Sequence, residues 1–202
     1  KVKACMSSLF TPRAIFYREK KGFQHEKSLL AVVVQKMVNS EKSGVMFSQN
    51  PISSDKTIVI EAVFGLGEGI VSGQIKPDHY VVSPDLENFK IKAMQISKKK
   101  IAIIKNEEGK NETIKLSDEQ AEKRVLDNYE IKRLSQYAKQ LEEHYGKPQD
   151  IEFAVDATGI YIVQSRPITT SFKESKGEIT GKILLSGLGA SPGISSGPVK
   201  II

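Results

Sequence analysis

Cysteine is nearly missing: Cys5 stands alone in 202 residues, and there is no tryptophan. One thiol excludes an internal disulfide and any cysteine-built metal cluster, and it suits a reducing, cytoplasmic setting. Long apolar runs are missing as well. The longest, 29–34, holds six residues, against the ~18–20 that a membrane-spanning helix requires. The opening Lys-Val-Lys-Ala-Cys has no signal-peptide hydrophobic region. It also has no Met, which gives the expectation of a segment cut from a longer polypeptide. Glycine (15) and proline (8) are too few for a collagen-like or linker-dominated chain. Histidine is scarce: His25, His79 and His144 have no partners at metal-ligand spacing, and neither a Ser-His-Asp signature nor a CxxC occurs.

What is present reads as globular. The chain is 39% hydrophobic and 27% charged, enough for one cored domain or one domain plus part of another. The net charge of +6 comes from 30 cations against 24 anions, mostly lysines scattered along the chain, with 98–100 the densest run. Scattered lysine reads as a solvated face. Without basic strands studded with aromatics, a nucleic-acid partner is not expected.

Local signals divide the chain. Thr11 caps a helix opened by Pro12. The stretch 29–38, β-branched and nearly continuous, predicts a fully buried strand, with 39–44 as a turn and 45–48 as its returning partner. Further strands are expected at 57–63, 78–83, 89–97 and 100–104, with 106–111 a polar turn. At Ser117 the period changes to that of a helix: Ser117 and Gln120 form a capping box, Asp127 can restart the helix, and Gly146 with Pro148 stops it. Residues 150–167 alternate as a hairpin.

That hairpin carries the chemistry. With 157–159 as a three-residue loop holding Gly159 in the left-handed position, Asp156 pairs with Ile160, Ala154 with Ile162, Glu152 with Gln164 and Asp150 with Arg166. Asp150, Glu152, Gln164 and Arg166 then share one face, and Ile151, Phe153, Val155, Tyr161 and Val163 the other. Two carboxylates, an amide oxygen and a guanidinium lie within about 5–7 Å of each other on such a face. Oxygen donors suit a hard cation such as Mg²⁺, and a guanidinium suits phosphate. A salt-bridged solvent face fits the same pattern. Gly65-Leu66-Gly67-Glu68-Gly69 is neither a Walker A loop nor a dinucleotide fingerprint; taken alone it is a Gly-rich turn. Gln35–Val38 ends the expected strand, where a base can meet backbone groups, although an ordinary strand terminus looks the same.

Taken together, Ala-Ile-Phe-Tyr-Arg, Val-Gln-Lys-Met-Val, Ser-Gly-Val-Met-Phe-Ser-Gln-Asn-Pro, Ile-Glu-Ala-Val-Phe-Gly-Leu-Gly-Glu, Pro-Gln-Asp-Ile-Glu-Phe and Ile-Val-Gln-Ser-Arg-Pro-Ile occur in that order. This set resembles the C-terminal part of the ATP-grasp nucleotide-binding domain of the phosphoenolpyruvate-utilising dikinases, in wording nearest to the phosphoenolpyruvate synthases. Gly189-Ala190-Ser191-Pro192-Gly193 and Ser196-Gly197-Pro198-Val199 are similar to the start of the family's swivelling phosphohistidine domain.

The resemblance implies an α+β fold, a mostly antiparallel ATP-grasp-type sheet with flanking helices. It implies 1–172 as that domain, 173–186 as a linker and 187–202 as the truncated start of the next. It implies ATP as substrate, with Mg²⁺ held by Glu152 and Gln164. Arg166 would be the catalytic contact to the transferred or neighbouring phosphoryl group. Asp150 would stand behind it or be linked to the metal. Met37 and Val38 would meet adenine through their backbone with Gln35 nearby, and Glu68 would face the nucleotide. It further implies pyruvate and a phosphohistidine on domains outside this chain, the rest of the parent polypeptide as partner, and no membrane. A related dikinase with another acceptor, or an inactive ATP-grasp module, remains open.

Overall fold

A computed structural model describes residues 1–53 and 55–168. The expected linker at 173–186 and the segment 187–202 lie outside the described residues. Two compact units divide the chain, Lys1–Met37 and the part from Val38 onward.

The first unit is helical, with α1 (Val2–Ser7) and α2 (Pro12–Lys21). Thr11 Oγ1 accepts the Ala14 N–H at 3.4 Å and Pro12 opens the first turn, as the local signals predict. Gly22, at φ 70°, closes the helix in the left-handed region. The stretch after it departs from expectation. Residues 28–40 carry no strand, and Leu29, Val33 and Val34 are 93%, 80% and 87% exposed. A buried strand needs a ladder partner, and the partner expected at 45–48 has both of its edges occupied by other strands. Its composition favours burial; its surroundings among the described residues do not supply it.

The second unit is built on a six-stranded antiparallel sheet of order β4-β3-β2-β1-β7-β8. The strands are β1 (Lys42–Phe47), β2 (Ile58–Phe64), β3 (Asp78–Val82), β4 (Ile91–Gln95), β7 (Gln149–Asp156) and β8 (Gly159–Pro167). A separate hairpin joins β5 (Ile101–Lys105) to β6 (Asn111–Lys115). β6, read as Asn-Glu-Thr-Ile-Lys, is too polar to announce itself and forms only as the return strand of β5. The fold is thus α+β with a mostly antiparallel sheet and flanking helices, as expected. No described helix is long and apolar enough to cross a membrane.

Helix signals downstream are local: both starts and the stop hold, while at Ser117 only the N-cap half of the expected capping box forms. Ser117 Oγ accepts the Gln120 N–H at 3.2 Å to start α4 (Asp118–Glu122). Asp127 starts α5 (Asn128–Tyr145) with a complete capping box to Glu130, and left-handed Gly146 ends it. Glu130 does double service: its carboxylate also receives the Lys42 ammonium at 2.7 and 2.9 Å, fastening the helix start to the first residue of β1.

One sheet face supplies the core. Met46, Ile60, Tyr80, Ile151 and Phe153 pack with Ile131, Leu134 and Ala138 of α5. Phe153 crosses β1 at Gly44, where a Cβ would fall 2.0 Å from the Glu61 carbonyl oxygen and 2.6 Å from the Phe153 ring. Behind this core, Asp78 and Lys99 form a fully buried ion pair. Asp78 also accepts the N–H groups of Ser97 and Val125, each at 2.9 Å, and the Tyr80 hydroxyl at 3.1 Å. This network joins the start of β3 to the β4–β5 connection and the α4–α5 corner.

Candidate functional site

The β7–β8 hairpin sets Glu152 opposite Gln164 and Asp150 opposite Arg166, the two pairings the alternation predicts. It reaches them by another route. Near the turn Asp156 pairs with Gly159, Ala154 with Tyr161 and Phe153 with Ile162, so the loop has two residues rather than three. Gly159 opens β8 instead of holding a left-handed loop position. The register shifts between Glu152 and Phe153, where Val163 is the additional residue of a β-bulge. A loop shorter by one and a strand longer by one cancel, and the pairs at the site are restored. The expected apolar face is corrected too: Ile160 and Ile162 pack against the core, while Tyr161 turns to the other side and is 39% exposed.

Local chemistry explains both ends of the hairpin. Asp156 Oδ1 accepts the N–H groups of Thr158 and Gly159 at 2.8 and 3.2 Å, which holds the tight turn. At the base, buried Gln149 exchanges bonds with Ser48: its N–H donates to Ser48 Oγ at 2.8 Å and its carbonyl accepts the Ser48 N–H at 3.0 Å. The Ser165 hydroxyl donates to Gln149 Oε1 at 2.9 Å. These three residues set the position of Asp150, and sequence reasoning missed them, because only strand order shows that Ser48 lies beside Gln149.

Arg166 Nε and Nη2 both donate to Asp150 Oδ2, at 2.9 and 2.8 Å. The arginine side chain is 67% exposed, so the pair contributes at most about 1 kcal/mol to stability. Its effect is on geometry: the guanidinium is held by one edge, and its Nη1 side makes no hydrogen bond among the described residues. Glu152 and Gln164, directly opposed, place a carboxylate and a carboxamide about 5 Å apart at Cβ. No three His, Cys, Asp or Glu side chains converge as a metal cluster among the described residues. The donor set nevertheless fits Mg²⁺, which takes one or two protein oxygens and completes its shell with phosphate oxygens and water.

The register extends this polar row. Val45 pairs with both Glu152 and Glu61, and Glu61 pairs with His79, so all share one sheet face. His79 Nδ1 lies 3.3 Å from Glu61 Oε1. No spacing in the sequence marks this pair, since 18 residues and a loop separate the two.

The remaining expected residues belong to other segments of the chain. Glu68 opens α3 (Glu68–Val71) and accepts the Asn111 Nδ2–H at 2.7 Å; it is exposed. The glycine turn before it has a packing cause. Gly65, at φ 78°, leaves no room for a Cβ, which would lie 2.1 Å from the Ile103 carbonyl oxygen. Leu66 N–H donates to that oxygen at 2.7 Å, tying the turn to β5. Gln35 and Met37 belong to the first unit and Val38 to the second; none lies on a strand, and Met37 is 65% exposed.

Known proteins are similar to this chain in sequence. A probable phosphoenolpyruvate synthase of Archaeoglobus fulgidus is 56% identical over the whole chain, which spans 27% of that protein. The phosphoenolpyruvate synthase of Pyrococcus furiosus is 47% identical, again over the whole chain and 26% of the relative. A rifampicin phosphotransferase of Bacillus cereus is 42% identical over 85% of the chain and 19% of its own length. The chain thus spans about a quarter of the length of the synthases it matches. Residues 1–184 match the family described as pyruvate phosphate dikinase, AMP/ATP-binding domain, and the chain belongs to that family.

Proposed function

We propose that the chain is the C-terminal part of the nucleotide-binding domain of a pyruvate, water dikinase. The reaction is ATP + pyruvate + water → AMP + phosphoenolpyruvate + phosphate, carried through a phosphohistidine and a pyruvate site on other domains of a larger cytoplasmic polypeptide. The observation that carries this reading is the row on one sheet face: Glu152 opposite Gln164, and two residues along the strand the Arg166 fork held by Asp150. Such a row fits a magnesium nucleotide better than a solvent face, because Asp150 occupies only one edge of the guanidinium.

In this reading Glu152 and Gln164 hold Mg²⁺, which neutralises and orients the phosphate chain when bound. Arg166 keeps its free edge for the phosphoryl oxygens and gains most where charge develops in transfer. Asp150 is a positioning residue that acts through Arg166. The backbone of Met37 and Val38, with Gln35, receives adenine, and Glu68 faces the nucleotide. Turnover requires the phosphohistidine carried on another domain.

The test uses the complete polypeptide with Mg-ATP and pyruvate, followed by ³¹P NMR. Equal amounts of AMP, phosphoenolpyruvate and phosphate, abolished by Glu152→Ala, support the reading. The similarity to a rifampicin phosphotransferase keeps a second acceptor in view. AMP formed only with an acceptor other than pyruvate overturns the synthase assignment and leaves the nucleotide site standing. A requirement for phosphate with pyrophosphate as product points to a pyruvate phosphate dikinase. No nucleotide consumption at all overturns both.

A further inference from the structure

A cavity lies on the side of the sheet opposite to the polar row of the hairpin. Lys42 and Phe64 pair across β1 and β2, and they share the face of Met46 and Ile60 that packs on α5. Glu152 and Gln164 point the other way. Lys42 and Phe64 line a cavity of about 490 Å³ walled by the β5–β6 hairpin, α4 and the corner before α5. That volume is in the range of small-molecule sites.

The charges around it are unbalanced. Lys42 is neutralised by Glu130. Lys105, Lys123 and Arg124 remain, with no ion pair among the described residues, against the single carboxylate of Glu41. Arg124 Nη2 donates to Asn128 at 2.7 Å, but its Nε is buried without a hydrogen-bond partner. It is the one such buried side-chain atom among the described residues. A buried donor left without an acceptor is unfavourable, and the side chain that carries it lines the cavity. Between the cations the wall is apolar, formed by Phe64, Ile104 and Leu116.

From this we infer that the cavity binds a small phosphate monoester with a planar or apolar body. The phosphate would lie among Lys105, Lys123 and Arg124, and the body against Phe64 and Leu116. The site does not rest on the nucleotide reading of the hairpin, from which the sheet separates it.

Calorimetric titration of the full chain with phenyl phosphate tests the inference. Binding is expected with a dissociation constant of about 1 mM or tighter. Lys105→Gln/Lys123→Gln weakens it about tenfold or more, while Arg166→Ala leaves it unchanged. The charge-matched control Lys90→Gln/Lys92→Gln also leaves it unchanged, and equal melting temperatures show that each variant is folded. The inference is overturned if phenyl phosphate does not bind, if the Lys105/Lys123 variant binds like the parent, or if the control weakens binding equally. It is also overturned if Arg166→Ala alone removes binding, which would assign the phosphate to the hairpin face.

Discussion

Asp78→Ala attacks the buried network that holds the sheet against its helices. The carboxylate is fully buried and serves four donors: the Lys99 ammonium, the Ser97 and Val125 N–H groups and the Tyr80 hydroxyl. Removing one partner of a buried ion pair costs about 3–5 kcal/mol, and each further orphaned buried donor adds about 1–3 kcal/mol before water or relaxation relieves it. A loss of about 5 kcal/mol is therefore expected, comparable to the whole stability of many domains. Lys99→Met should be milder, because Asp78 keeps three donors. Asp78→Ala/Lys99→Met should recover part of the loss, since no ammonium is left buried alone. Urea unfolding followed by circular dichroism gives all three values and the coupling between the two sites. An Asp78→Ala variant within about 1 kcal/mol of the parent, or a Lys99→Met variant that is just as damaging, would refute the reasoning.

At the site the expected pattern is reversed. Glu152→Ala and Gln164→Ala should leave the urea midpoint nearly unchanged while lowering AMP formation in the complete polypeptide about a thousandfold; a variant that unfolds instead would show a structural role. Arg166→Lys keeps the charge but loses the fork, so AMP formation should fall about a hundredfold, with Asp150→Ala less severe. Gly65→Ala forces a Cβ onto the Ile103 carbonyl oxygen at φ 78°, and thermal melting should show a loss of about 2 kcal/mol or more. Acid should also weaken the fold. Burial pushes the Glu142 carboxyl up, but hydrogen bonds from Gln49 and Ser48 and the Lys139 ammonium outweigh it and hold the group below its ordinary value of 4.5. The folded state therefore binds fewer protons there than the unfolded chain, so the stabilisation is present above the ordinary range and lost as pH falls through the lower folded value. Glu142→Gln should flatten the acid limb of a plot of melting temperature against pH.

Legibility followed the range of each interaction. Thr11, Ser117 and Asp127 announce their helices because a cap is made within three residues of itself. The hairpin announces the pairs on its polar face because a period of two separates Ile151, Phe153 and Val155 from Asp150 and Glu152. Its turn was misread, since a two-residue loop with a bulge at Val163 and a three-residue loop without one bring the same pairs together at Glu152 and Asp150. Only the packing of Ile160 and Ile162 on the core distinguishes them.

The sequence by itself determined the α+β class, the helix starts at Ser117 and Asp127 and the stop at Gly146, the family, and the opposition of Glu152 to Gln164 and of Asp150 to Arg166. Tertiary structure decided the rest. It left 28–40 without a strand, because both edges of β1 are taken by β2 and β7. It set Ser48 against Gln149 and Glu61 against His79, pairings that depend on the order of strands far apart in the chain. It buried Lys99, which the sequence presents as one of three consecutive lysines, because Asp78 waits at the start of β3 to receive it. Apolarity and charge state what each side chain prefers, and the set of neighbours that satisfies those preferences exists only once the sheet has formed.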